Sequence, residues 1–305
     1  LVILAGDEPP DRSSWAVEQY GVNEFDAEIV GLGPGLGVRD DTELSLAGLQ
    51  NKLLLVATER GWGRPVGGQP STHILKIDDQ RFPGLVSAEA AALRLARGLG
   101  LGDLDPQLHQ IEGVDCLIVA RYDRLRAADG TIGRVHQEDS CQALGVMPDA
   151  HRGRGKYESS GGPTFAQIAS LLRRYSADPG DELDRLVRMI AFTMIIGNAD
   201  GHGKNLSLLY PAPGMPTLAP LYDTVPTVLW PRLRTTAAMS VAGETEFIRI
   251  GLDAITREAE GWGMPGERAR SLAVDVVERA LRAASGLGHD QVGELVTGRA
   301  TQMLG

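Results

Sequence analysis

The segment Gly197-Asn198-Ala199-Asp200-Gly201-His202-Gly203-Lys204-Asn205 gathers the residue types of acid–base and phosphate chemistry into one short stretch. It follows directly on an apolar, helix-patterned run from 181 to 196, so polar side chains emerge where buried structure ends. Asp200 and Asn205 have the D-x-x-x-x-N spacing of a kinase catalytic loop, in which the Asp accepts the proton of the substrate hydroxyl and the Asn holds magnesium. The same residues also suit a capping and turn cluster, since Asp and Asn are common in loops. Beyond them, the runs 206–210 and 217–221 flank Pro-Ala-Pro-Gly-Met-Pro and predict a hairpin. A hairpin returns the chain to its starting level, which sets Asp223 beside Asn205. Magnesium takes oxygen ligands, typically one or two carboxylates with phosphates and waters, so Asn205 and Asp223 form a candidate metal pair. A strand-end turn at Tyr222-Asp223-Thr224 is the plain alternative.

The positive charges point to further candidates. Of 30 basic residues 26 are Arg, and the four Lys stand at 52, 76, 156 and 204. A compact ammonium and a planar guanidinium are not equivalent at a tight phosphate site, so each Lys is judged by its context. Lys76 sits in a buried-looking strand, where an ammonium is costly unless it meets an anion. Glu89, in the first turn of the next helix, is a possible partner of the Lys–Glu kind found in kinases; a strand-edge lysine with its head in water is the bland reading. Ser45-Leu46-Ala47-Gly48-Leu49-Gln50-Asn51-Lys52 precedes a strand, and its small residues would let backbone N–H groups approach phosphate oxygens. It lacks the G-x-x-x-x-G-K-[ST] pattern and is no Walker loop.

The elements that must position these residues fall into two parts. Residues 1–70 are rich in Gly and Pro with short apolar runs at Glu28-Ile29-Val30 and 52–56, which reads as β-rich, with a Gly/Pro loop at 61–70. Strands are expected at 73–77 and 116–122, and a helix from Ser87, as N-cap, to about Leu99. From about 137 helices dominate, at 137–144, 165–175, 181–197, 267–284 and 289–303, where apolar residues recur at three- and four-residue spacing. The expected architecture is α+β and two-lobed, like a protein kinase: a small β-rich lobe over 1–119 carrying the phosphate loop, and a larger, mainly helical lobe over 120–305.

Composition narrows the function classes. The chain has 305 residues, 43% hydrophobic and 23% charged, which is ordinary for a globular protein. Two cysteines, Cys116 and Cys141, exclude a disulfide scaffold, and the lack of any CxxC pair speaks against structural zinc. The longest apolar-like run, Met189 to Ile196, is far below the ~20 residues needed to cross a bilayer, and the chain is expected in the cytoplasm, away from membranes. A net charge of −10 repels nucleic-acid phosphates, so no direct nucleic-acid binding is expected. The glycines at 31, 33, 35 and 37 lack the G-x-G-x-x-G spacing and no helix opens after them, which removes a dinucleotide site. His136-Gln137-Glu138-Asp139 could ligate a metal, although a helix N-terminus with acidic residues accounts for it equally well.

Taken together, these segments resemble the HipA-like serine/threonine kinases, toxins of bacterial toxin–antitoxin pairs. The resemblance covers roughly 44–260 and rests on Ser45 to Lys52, Thr72-His-Ile-Leu-Lys76, Val119-Ala-Arg-Tyr-Asp-Arg124, His136 to Gln142, Lys156-Tyr-Glu-Ser-Ser-Gly-Gly-Pro163, the 197–205 loop and Leu221-Tyr-Asp-Thr224. All four lysines fall within it. It implies that Asp200 is the general base, with Lys204 beside it in catalysis, and that Asn205 and Asp223 bind Mg2+. It further implies that Lys76 holds the ATP phosphates and that the backbone at Ala120 and Tyr122 contacts adenine. Ala47, Gly48, Leu49, Gln50, Lys52 and His202 complete the implied ATP-binding set, and Ser45 matches a serine that such kinases autophosphorylate. Ala120 stands where family members often have Glu, and the segment before Ser45 is shorter than in longer members. The implied partners are a protein substrate such as an aminoacyl-tRNA synthetase and a helix-turn-helix antitoxin.

The leading expectation is an ATP- and magnesium-dependent protein kinase. Two readings compete with it: a metal-dependent phosphohydrolase with Asp200, His202 and Asp223 as ligands, and a catalytically silent interaction module.

Overall fold

The structure is a computed structural model that describes residues 12–21, 23–32, 51–78, 82–212 and 214–305. Sheets and helices are both present, as an α+β chain requires, and the chain divides into two compact units. One comprises residues 1–86 and 107–134, the other 87–106 and 135–305.

The first unit is built on a six-stranded antiparallel sheet in the order β1-β3-β2-β4-β6-β5. Its strands are β1 (Ala16–Gln19), β2 (Lys52–Thr58), β3 (Gly61–Val66), β4 (His73–Ile77), β5 (Gln107–Ile111) and β6 (Val114–Ala120). Side chains alternate between the faces of a strand, and Leu53, Leu55, Leu75, Ile77, Cys116 and Ile118 supply one apolar face. Helix α1 (Glu24–Gly31) covers that face through Ile29. A hairpin of β7 (Arg124–Arg126) and β8 (Ile132–Arg134) completes the unit.

Two expectations fail here. Glu28-Ile29-Val30 is helical, lying in a helix whose first turn carries Glu24 and Asp26, acids that favour a helix N-terminus. Residues 61–66 form a paired strand, β3, instead of a loop. Gly63 is what admits the neighbouring strand, since a Cβ there would lie 2.5 Å from Val17 Cγ1.

The second unit holds α2 (Leu85–Gly98) apart from its first two residues, then β9 (His136–Asp139), α3 (Ser140–Ala143), α4 (Ala150–Gly153), α5 (Phe165–Tyr175) and α6 (Pro179–Ile196). After these come β10 (Ser207–Ala212), β11 (Met215–Leu218), β12 (Thr236–Val241), β13 (Glu244–Glu246), α7 (Leu252–Gly261), α8 (Gly266–Ala283) and α9 (Asp290–Leu304). Helix α6 is the hub: Leu186, Val187, Ile190, Phe192 and Ile195 are buried, and α5, α8 and α9 pack on it. Asp178 caps its start by accepting from Asp181 N at 3.0 Å, and Pro179 opens its first turn. Among the described residues no helix is long and apolar enough to cross a membrane.

The expected single boundary at 119/120 differs from this division in two places. Helix α2 buries Ala88, Ala91, Ala92 and Leu95 in the core of the second unit, and the chain leaves the first unit only at 134/135, after the β7–β8 hairpin. The helix expected at 137–144 is short and begins later. Residues His136–Asp139 pair with β10, His136 opposite Tyr210, and Asp139 then caps α3 in a capping box with Gln142. Nor does Ser87 act as an N-cap, since α2 already runs from Leu85.

Candidate functional site

Helix α6 ends where the chemistry begins. Gly197 takes the left-handed conformation at φ 64°, and a Cβ there would meet Val228 Cγ2 at 2.4 Å, so both backbone and space require glycine. The loop that leaves it is held from within. Asn198 Oδ1 accepts from Asp200 N at 3.0 Å, Thr227 Oγ1 accepts from Ala199 N at 2.7 Å, and Asn205 Nδ2 donates to Asp200 O at 2.9 Å. Asp200 is thereby presented with its side chain 48% exposed. The hairpin β10–β11 does bring the chain back. Tyr222 donates its hydroxyl to Lys204 O at 2.7 Å, and Asn198 Nδ2 reaches Asp223 O at 3.4 Å. Asp223 itself sits at φ +52°, an uncommon conformation for a non-glycine residue and one that collects at functional sites.

His202 is buried, and burial, the largest influence, holds its imidazole below the ordinary value despite the nearby Asp200 and Asp223 carboxylates. Its Nδ1 accepts from Lys204 N at 3.3 Å, which leaves the proton on Nε2, 3.6 Å from Asp200 Oδ1. Lys204 Nζ is paired with Asp139 Oδ2 at 2.8 Å, so the ammonium counted with the base is tied to the cap of α3. The segment His136–Asp139 thus serves the fold through β9 and that cap.

One residue of this site has no signal in spacing. Tyr157 donates its hydroxyl to Asp200 Oδ1 at 2.5 Å, its ring meets His202 edge-on at 5.1 Å, and the Arg234 guanidinium lies 5.1 Å from its centroid. The loop carrying Tyr157 packs on the catalytic loop, with Gly203 N donating to Lys156 O at 3.1 Å. A Cβ on Gly203 would lie 2.5 Å from Pro163 Cγ and 3.0 Å from Cys141 Sγ. We expect Gly203→Ala to destabilise the protein by ~1–3 kcal/mol, the usual cost of overpacking; thermal melts beside the parent chain measure it, and an unchanged midpoint would show that the 156–163 loop gives way freely.

Oxygen donors are what magnesium requires, and the residues fit it. Asn205 spends its amide nitrogen on Asp200 O, which leaves its carbonyl oxygen as the end available to a cation, and Asp223 adds a carboxylate. The next residue, Thr224, is 2% exposed, and its hydroxyl has no hydrogen-bond partner among the described residues, as a group awaiting a water or a ligand oxygen would be. Among the described residues no three His, Cys, Asp or Glu side chains are grouped to hold a metal.

In the first unit, Lys76 is 5% exposed and stands directly opposite Lys52 across β4 and β2, on the face away from the apolar core. Ala120 ends β6 opposite His73, and Arg121 N donates to Thr72 O at 2.8 Å, which fixes the backbone leading to Tyr122. Glu89, the suggested partner of Lys76, is buried in α2 of the second unit. Ser45, Ala47, Gly48, Leu49 and Gln50 lie outside the described residues.

Comparisons with known proteins agree on one group. Residues 44–284 match the HipA-like C-terminal domain. The chain is 38% identical over 304 residues to "Putative kinase Y4mE" of Sinorhizobium fredii, covering 95% of this chain and 70% of that protein. It is 30% identical over 247 residues to the serine/threonine-protein kinase toxin HipA of Shewanella oneidensis, covering 78% of this chain but only 55% of the relative. Among solved structures, the Shewanella oneidensis complex of HipA, HipB and operator DNA aligns with a TM-score of 0.77 at 23% identity, over 99% of this chain and 73% of that one, a likeness of fold.

Proposed function

This chain belongs to the HipA-like kinase family, and from that membership and the loop around Asp200 we propose that it is an ATP- and magnesium-dependent protein kinase acting on Ser or Thr. In this reading the first unit is the small lobe and the second the large lobe of a protein-kinase-like fold. Lys76 and Lys52 hold phosphates, and the backbone at Ala120 and Tyr122 receives adenine. Asn205 and Asp223 hold magnesium, which when bound neutralises charge on the phosphate oxygens.

The observation that carries the proposal is the presentation of Asp200. A half-exposed carboxylate is held by its backbone to Asn198 and Asn205, at kinase spacing from an amide oxygen free for a cation. The hydroxyl oxygen of the acceptor forms a bond to the γ-phosphorus, the bond from that phosphorus to the bridging oxygen breaks, ADP leaves, and the hydroxyl proton passes to Asp200. Positioning and charge do most of the work in such a transfer. By family resemblance the acceptor protein is a translation component such as an aminoacyl-tRNA synthetase. The Shewanella relative was solved with HipB, and a HipB-like antitoxin is the proposed partner of this chain as well; co-expression with the product of the gene immediately upstream and co-purification test it.

Ser45 is the proposed site of self-modification. A phosphate there adds about −1.5 to −2 charge and three acceptor oxygens, which a loop meant to cover ATP phosphates cannot keep in place. After incubation with ATP and magnesium, mass spectrometry should find phospho-Ser45 in the parent chain and none in Asp200→Asn, and the modified form should bind ATP more weakly. An unmodified Ser45 in protein that phosphorylates others would remove the switch and leave the kinase standing.

A further inference from the structure

Among the described residues, the hydrogen bond to the Asp200 carboxylate comes from another loop. At 2.5 Å the Tyr157 O–H···Oδ1 contact is at the short end for a hydroxyl on a charged oxygen. The donor is itself immobilised. Tyr157 O accepts from Ser160 N and Gly162 N, both at 2.9 Å, and Gly162 has no room for a side chain, since its Cβ would lie 2.7 Å from Tyr157 C and O. Glu158 anchors the same turn to β12, accepting from Ser240 N at 2.6 Å and Ser240 Oγ at 2.7 Å. Burial and the Asp200 charge both push the phenol well above its ordinary range, so it stays a donor.

Asp200, by contrast, is a short side chain half in solvent, and among the described residues no group other than Tyr157 donates a hydrogen bond to its carboxylate oxygens; His202 Nε2 stands off at 3.6 Å. A carboxylate rotates unless something holds it, and a base must meet its proton at hydrogen-bond distance in the right direction. We infer that Tyr157 is a positioning residue for phosphoryl transfer: its hydroxyl holds Oδ1 of Asp200, so that Oδ2 is the oxygen that accepts the proton of the protein hydroxyl. This rests on the reading of Asp200 as the base. Tyr157 touches no reacting atom itself. A tyrosine that merely capped the base would inhibit, and the two roles predict opposite changes on its removal.

The test is Tyr157→Phe, which keeps the ring and its contacts with His202 and Arg234. Label transfer from γ-labelled ATP is followed to the chain itself and to myelin basic protein as a generic acceptor, with thermal melts to confirm folding. Loss of alignment should lower kcat by ~10- to 100-fold, with the KM for ATP changed by less than about twofold. In an Asp200→Asn background the same change should alter the residual rate by less than about twofold, because no base remains to be aligned. A crystal structure of Tyr157→Phe should show the Asp200 carboxylate turned from its parent orientation. Wild-type or faster turnover in Tyr157→Phe, an equal loss in the Asp200→Asn background, or an unmoved carboxylate would each overturn the inference. Its failure is distinguishable from failure of the base reading, which falls only if Asp200→Asn itself keeps wild-type transfer.

Discussion

Asp200→Asn is expected to lower phosphoryl transfer by ~10²- to 10⁴-fold, the contribution typical of a positioned general base, with folding intact. That corresponds to about 3 to 5 kcal/mol of lost transition-state stabilisation. The fold should survive because the Asp200 side chain is half exposed and its backbone, not its carboxylate, ties the loop to Asn198 and Asn205. An Asn keeps the shape and an oxygen that can accept from Tyr157, yet it cannot take up the proton of a hydroxyl. The change therefore isolates proton acceptance from structure. Steady-state label transfer together with a melting curve measures both, and a folded Asp200→Asn protein with wild-type turnover would remove the base.

Lys76 carries the second large effect. It is 5% exposed in a central strand and lies abreast of Lys52 on the face away from the apolar core. In a chain with 26 Arg and four Lys the residue type itself is informative. Lys76→Met should weaken ATP binding by ~10- to 100-fold, matching the ~1.5–3 kcal/mol of a hydrogen bond to a charged group. Lys76→Arg keeps the charge and changes the shape, and it should also lose affinity, because a planar fork does not replace a point charge at a tight site. Calorimetric titration of magnesium-ATP into the three proteins orders them; equal affinities would leave Lys76 an ordinary strand residue.

These two predictions rest on grounds that the sequence displays unequally. Asp200 and Asn205 stand out because polar, helix-breaking types interrupt a buried pattern, and the return of the chain by β10–β11 follows from two apolar runs around a Pro-rich turn. Helices α5, α6, α8 and α9 lie within two residues of their expected spans because each carries an apolar stripe long enough to set its own period. Helix α1 is not legible in this way because only Ile29 of its residues is buried, too little to establish a period. Strand β9 is hidden because its partner β10 lies some 70 residues further along the chain, and pairing at that distance leaves no mark on local composition. Tyr157 is invisible as a partner of Asp200 for the same reason, being 43 residues away. Lys204, grouped with the base by sequence proximity, is paired with Asp139, which shows that nearness along a loop does not decide where a long side chain goes.

The division of the chain follows the same logic. A boundary at the end of an apolar strand is the natural sequence-based choice, yet α2 carries its Ala-rich face into the helical core and the β7–β8 hairpin stays with the sheet. Which core a segment joins depends on the complementarity of its apolar face, and that property belongs to both partners.

The most direct test of the central claim is phosphoamino-acid analysis after incubating the chain with γ-labelled ATP, with and without magnesium. The account predicts label on serine or threonine of protein when magnesium is present, and neither transfer after chelation nor transfer by Asp200→Asn. Release of inorganic phosphate from ATP with no label on protein, or transfer that persists without magnesium and without Asp200, would contradict it.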